Sequence, residues 1–188
     1  LKDLRKKIAD KLSIPPYVIF QDPSLIEMTL KYPIKIEELS SIFGVGEGKS
    51  KKYGKEFINL ISDYVIENKI VRPDDFVVKS SGKNSSLKLF IIQSIDRKLS
   101  LEDIIDSKSM NMMDFIKEME SIVYSGTKLD LSYCLEEYLD EDQQQEMYEY
   151  FIESESDNID LALEEFEGEY DELELRLYRI KFLSALAN

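Results

Sequence analysis

The chain has 188 residues, 43% of them hydrophobic, which is enough for one or two folded cores and excludes a disordered polymer. One cysteine, Cys134, excludes an internal disulfide, and without any histidine a structural zinc site has no donor set. The net charge of -14 is unevenly spread: residues 1–80 carry 14 Lys and Arg against 12 Asp and Glu, whereas residues 81–188 carry 10 against 26. Such a split points to two units with different partners. No apolar run approaches the roughly 20 residues that span a bilayer, so no membrane partner is expected. Together with cysteine usage this points to a reducing, cytoplasmic location without a signal peptide, and Leu1 in place of methionine points to a piece of a longer protein.

Residues 1–13 read as an amphipathic helix, with Leu1, Leu4, Ile8 and Leu12 at helical spacing and Lys2, Lys6, Lys7 and Lys11 on other faces. Ile14-Pro15-Pro16 stops it, because proline has no amide to donate. Val18, Ile19 and Phe20 are expected in the core. Tyr17, just after the rigid prolines, has two readings, a half-buried ring with a satisfied hydroxyl or an outward stacking platform. Asp22-Pro23 predicts a helix start capped by the aspartate, with Leu25, Met28 and also Ile26 turned inward, ending before Pro33. A short helix over 36–41 follows. Gly44-Val45-Gly46 then allows a tight reversal around a buried valine. The next helix starts near Glu47, and its free amides and dipole point at that turn, a geometry that suits phosphate. Lys49, Lys51, Lys52 and Lys55 crowd its first turns, and Tyr53, Phe57, Leu60, Ile61 and Tyr64 form its apolar stripe. Gly48-Lys49-Ser50 is not a nucleotide-binding phosphate loop, because that motif requires glycine where Phe43 stands and a strand before it.

Residues 71–86, with Ser80-Ser81-Gly82 at their centre, read as a linker. Helices resume at Leu87. Ser100 with Asp103 predicts a capped short helix, and a longer helix spans about 110–124, a helix-turn-helix spacing. That second helix offers only Lys117 against Asp114, Glu118 and Glu120, which disfavours reading DNA. Residues 126–131 are expected as a short strand or extended turn, and further helices follow over about 131–138, 142–152, 159–166 and 171–186. Residues 129–175 hold 19 acids and no base. The calcium-loop glycine is missing there, so a solvated acidic face is the expectation, with local repulsion of DNA or competition for the basic first unit as its functional reading. The expected class is all-α, a small helical bundle over 1–70 followed by a second helical unit over 87–188.

Leu4-Arg5, Ile8-Ala9, Pro15-Pro16-Tyr17-Val18-Ile19-Phe20, Asp22, Leu25, Pro33, Leu39, Gly44-Val45-Gly46, Lys49, Tyr53-Gly54 and Phe57 together resemble the helicase-and-RNase-D C-terminal (HRDC) domain. Lys35 departs from that pattern, which usually has Ser or Thr to cap the short helix. Residues 87–188 are similar to the helix-turn-helix extension of RecQ-type DNA helicases, with Tyr124-Ser125-Gly126-Thr127-Lys128-Leu129-Asp130 and Arg179-Ile180-Lys181-Phe182-Leu183 resembling tails from the Bacteroides group. The resemblance implies a parent that is an ATP-dependent 3′ to 5′ DNA helicase of recombination and repair. ATP, magnesium and zinc would be bound upstream, and no catalytic, cofactor or metal site is expected here. It implies weak, salt-sensitive DNA binding through Tyr17, Gly44, Val45, Gly46 and Lys49, to which charge and position add Lys51, Lys52 and Lys55. The rival readings are a protein-interaction or regulatory module, whose acidic unit docks on a basic partner or intramolecularly, and the end of an RNase-D-like exonuclease.

Overall fold

The computed structural model describes residues 1–72 and 85–186, and every regular element among them is a helix. The chain divides into two compact units. The first takes residues 1–72 and Tyr124–Thr127 of the described chain, and the second takes residues 85–123 and Lys128–Leu186. Most of the expected linker falls on residues 73–84, outside the described residues.

The first unit is built from α1 (Lys2–Leu12), α2 (Pro16–Ile19), α3 (Asp22–Lys31), α4 (Ile36–Ser40) and α5 (Glu47–Glu67). Ser13 ends α1 in the left-handed conformation, at φ 55°, and its amide bonds back to the Ala9 and Asp10 carbonyls. The proline pair opens a one-turn helix, α2, because a first-turn proline loses no hydrogen bond. The core gathers Ala9, Ile19, Phe20, Leu25, Met28, Leu39, Ile42, Val45, Tyr53, Phe57 and Ile61. Phe20 is its centre, edge-on to Phe57 at 4.9 Å and to Tyr53 at 6.3 Å between ring centroids. Gly54 lets α5 lie close to α4, since a Cβ there would stand 2.6 Å from Leu39 Cδ2.

Two expectations are corrected. Gln21, not Asp22, precedes α3, and no side chain caps that helix. Asp22 instead accepts from Lys2 Nζ at 2.9 Å and pairs with Arg5 at 2.7 Å, and contacts between charged groups are stronger than a bond to a neutral amide. The Lys2 bond holds the Asp22 carboxyl below the usual carboxylate range, opposed by partial burial and assisted by Arg5. Ile26 is 59% exposed, because the inward face of α3 is limited to Ser24, Leu25 and Met28. At Lys35, the residue before α4, no side-chain cap forms.

Two buried arginines tie the ends of this unit down. Arg5 donates to the Phe20 carbonyl at 2.6 Å. Arg72, beyond α5, donates to Glu38 Oε2 at 2.6 Å and to the Tyr32 carbonyl at 3.3 Å. Glu38 also accepts the Ile34 amide at 2.9 Å. Burial alone would raise the Glu38 pKa, but the Ile34 amide and the Arg72 guanidinium outweigh it, so the net shift is downward. A carboxyl with a depressed folded pKa contributes stability that is complete above its unfolded value and lost as pH falls through the folded one. Glu38→Gln is therefore expected to destabilise the first unit by about 3 kcal/mol at neutral pH, as breaking a buried pair does. The difference from the parent should shrink below about pH 4, read from urea unfolding at a series of pH values.

The second unit runs through α6 (Ser85–Asp96), α7 (Leu101–Lys108), α8 (Met112–Tyr124), α9 (Ser132–Leu135), α10 (Glu141–Glu153), α11 (Ile159–Glu165) and α12 (Glu172–Leu186). Local signals explain most starts. Ser100 accepts the Asp103 amide, Asp140 and Gln143 form a reciprocal capping box, and Asn158 accepts the Asp160 amide. Residues 126–131 form no strand, and the helix expected over 131–138 is the single turn of α9. α12 packs on α10 and α11, and Phe151 and Phe182, 5.6 Å apart, lie at that contact.

A charged cluster sits inside this apolar frame. Glu120 of α8 accepts two bonds from Arg176, at 2.8 and 3.0 Å, and one from Arg179 at 2.5 Å. Arg179 also donates to the Asp157 carbonyl. Glu120→Ala removes the carboxylate that both guanidinium groups share, leaving Arg176 with Glu172 and Arg179 with Asp157, and is expected to destabilise the unit by about 2 kcal/mol. Faster hydrogen exchange throughout α8 and α12 would register the loss, and unchanged exchange would count against a structural role for the cluster.

Candidate nucleic-acid interface

The candidate surface is the start of α5. Gly44 has φ 70°, a value that L residues reach only with strain, and Val45 behind it is buried. Two side chains of α3 hold this turn: Ser24 donates to the Phe43 carbonyl at 2.7 Å and Glu27 accepts the Phe43 amide at 2.9 Å. Gly46 precedes the helix with extended backbone. In this unit the Ser125–Gly126 backbone packs on the turn. A Cβ at Gly46 would stand 2.3 Å from the Ser125 carbonyl oxygen, and one at Gly126 would stand 2.8 Å from the Lys49 amide nitrogen.

This packing separates the expected contact residues into two groups. Lys49 is 1% exposed and Tyr17 is 3% exposed, so neither the amine nor the ring presents itself to solvent. The outward tyrosine is corrected to a buried one, and Lys49 to a buried lysine covered along its stem by Gly126. Val45 likewise serves the core. Lys51, Lys52 and Lys55 are exposed. Lys51 pairs with Glu47 at 2.9 Å, Lys52 lies 5.2 Å from the Tyr53 ring centroid, and Lys55 makes no ion pair among the described residues. Lys35, which sequence reading treats only as a missing cap, stands on the same side as Lys51 and Lys55. No sequence signal reveals this, since it arises from the packing of α4 on α5. The structural roles of Arg5, which sequence reading treats only as part of the family pattern, and of Arg72 are also hidden in the sequence, because their partners lie 15 to 40 residues away.

In the second unit, α8 offers little to an anion. Lys117 of α8 has Asp114 at 3.8 Å, and Glu120 is committed to its arginines. Part of the acidic run is structural. Asp140 and Asp171 accept amides at helix starts, where the helix dipole favours negative charge, and Glu146 accepts the Tyr170 hydroxyl. Among the described residues no group of three or more acidic or cysteine side chains is placed to hold a metal ion, and no helix is long and apolar enough to cross a membrane.

Comparison with known proteins places these features in context. The HRDC domain matches residues 1–61, and the RecQ-1-like helix-turn-helix domain matches residues 85–135. The chain thus carries an HRDC domain followed by a RecQ-1-like helix-turn-helix domain, in agreement with the resemblance to the C-terminal part of RecQ-type helicases. Over 64 residues, 34% of the chain, it is 47% identical to the ATP-dependent DNA helicase RecQ of Bacillus subtilis (strain 168). Over the same length it is 44% identical to that of Haemophilus influenzae and 39% identical to that of Pasteurella multocida. The match covers 11% of the first of these relatives and 10% of the other two, so the chain spans about a tenth of their length.

The division of the lysines is directly measurable. Under brief acylation with an amine-reactive reagent, Lys51, Lys52 and Lys55 should be modified at least about tenfold faster than Lys49, whose opening must precede its reaction. Gly46→Ala, which forces the Ser125 carbonyl away, should raise the Lys49 rate. Equal rates at all four lysines in the parent chain would refute the buried placement.

Proposed function

We propose that this chain is an accessory region of a RecQ-like 3′ to 5′ DNA helicase acting in recombination and repair in the cytoplasm, and that its HRDC domain adds weak DNA affinity to a motor carried elsewhere in the parent protein. The observation that carries this reading is the HRDC match over residues 1–61 combined with three exposed lysines, Lys51, Lys52 and Lys55, in the first turns of α5. Lysines on consecutive turns can neutralise neighbouring phosphates and release counterions, which makes binding non-specific and salt-sensitive. The burial of Tyr17 removes the stacking element from the proposed contact set, so single-strand and duplex phosphates are both acceptable ligands. The RecQ-1-like match at residues 85–135 favours a helicase parent over an RNase-D-like one. The second unit, with Lys117 paired and acids dominant, takes no part in DNA contact.

The test is a salt titration of fluorescent single-stranded DNA by anisotropy. Replacing Lys51, Lys52 and Lys55 together by alanine should lower affinity about tenfold at low salt and reduce the slope of log K against log salt by about 2, the loss expected for three phosphate contacts. An unchanged slope would remove α5 from the interface.

A further inference from the structure

Between residues 34–37 and α5 the first unit carries an open groove of 580 Å³. Its floor is aliphatic: Ile34, Ile36 and Ile58 are half-buried in it, and Ile34 and Ile58 also pack on the core. Lys35, Lys51 and Lys55 stand around this floor, with Glu37 as the one acid lining it among the described residues. The lysines are available. The Lys35 side chain is 66% exposed and lies 4.0 Å from Glu38, a carboxylate already bound by Arg72 and the Ile34 amide. The Lys51 side chain is 68% exposed, and its pair with the equally solvated Glu47 is readily exchanged. Lys55 has no ion pair among the described residues.

Apolar floor and cationic rim together define the occupant. A phosphate chain would use the lysines and leave the isoleucines wet. Bases seek aromatic faces on which to stack, and among the described residues the groove has none; Tyr53 of α5 is buried. We propose that this groove docks a protein segment in which Asp or Glu alternates with aliphatic side chains, the aliphatic groups covering Ile34, Ile36 and Ile58 and the carboxylates meeting the three lysines. Removing apolar surface from water supplies affinity, and the charges set register and reject basic segments. This interaction goes beyond the DNA reading and stands without it, because it uses the aliphatic floor.

The experiment uses the full 188-residue chain and a fluorescein-labelled peptide of about a dozen residues in which Glu and Leu alternate, beside an equally charged peptide with Ser for Leu. The leucine peptide should bind about tenfold more tightly than the serine peptide, and Lys51→Ala with Lys55→Ala should weaken it about tenfold. Ile36→Ser should weaken the leucine peptide while leaving single-stranded DNA binding unchanged. Since the floor adjoins the core, a second readout uses the unsubstituted chain: amide chemical-shift changes on adding the leucine peptide should concentrate on residues 34–37 and 51–59. Equal binding of the two peptides, or shifts centred elsewhere, would overturn the proposal. So would an Ile36→Ser variant that loses DNA and peptide binding alike with its helical circular dichroism intact. The DNA reading fails separately, when the lysine replacements weaken the peptide and leave DNA affinity and its salt slope untouched.

Discussion

The pairing of Glu38 with Arg72 closes the first unit. It joins the end of the 1–72 segment to the start of α4, 34 residues earlier, and the same carboxylate holds the Ile34 amide. One buried acid thus fixes three pieces of chain: the turn after Pro33, the first turn of α4 and the residues beyond α5. Arg5 does the corresponding work at the other end, reaching the Phe20 carbonyl and Asp22. A lone charge in such places is strongly unfavourable, whereas a pair with further hydrogen bonds is tolerated and specifies geometry. With both ends held, Phe20 is seated against Tyr53 and Phe57, and α5 keeps a constant position against α4. The lysine-bearing face of α5 and the aliphatic groove beside it inherit their shape from that arrangement.

The two units divide the electrostatic labour. In the first, exposed lysines collect along one side of α5, where Glu47 is paired with Lys51 and Glu38 is buried, while Glu37 and Glu56 stay exposed. In the second, acids cover the surface, and the three cations of α12 turn to internal partners: Arg176 and Arg179 to Glu120, and Lys181 to Gln144. The unit carrying the helix-turn-helix match presents a helix, α8, with one basic residue, Lys117, among Asp114, Glu118 and Glu120, a balance of charge unlike that of the first turns of α5.

Much of the helix architecture was legible in the sequence because its causes are local. α1 stops at Ser13, just before Pro15-Pro16, Gly44 reverses the chain with a positive φ, and Ser100 caps a helix through the residue three positions away. Apolar spacing identified Leu25, Met28, Phe57 and Ile61 as core for the same reason: helical period depends only on neighbours. Periodicity misassigned Ile26, where α3 buries a narrower stripe than its apolar content suggests.

What only the tertiary structure decided is which groups remain accessible. Tyr17 and Lys49 belong to the motif that carries the family resemblance, yet both are buried, and the Ser125–Gly126 backbone that covers the Lys49 turn comes from more than 70 residues further along the chain. Lys35 joins Lys51 and Lys55 only because α4 packs on α5. Sequence spacing determines which face of a helix a side chain occupies, since that is set by backbone geometry within a few residues. Whether that face meets water, an ion partner or another segment depends on contacts between distant residues, and those exist only once the chain has folded.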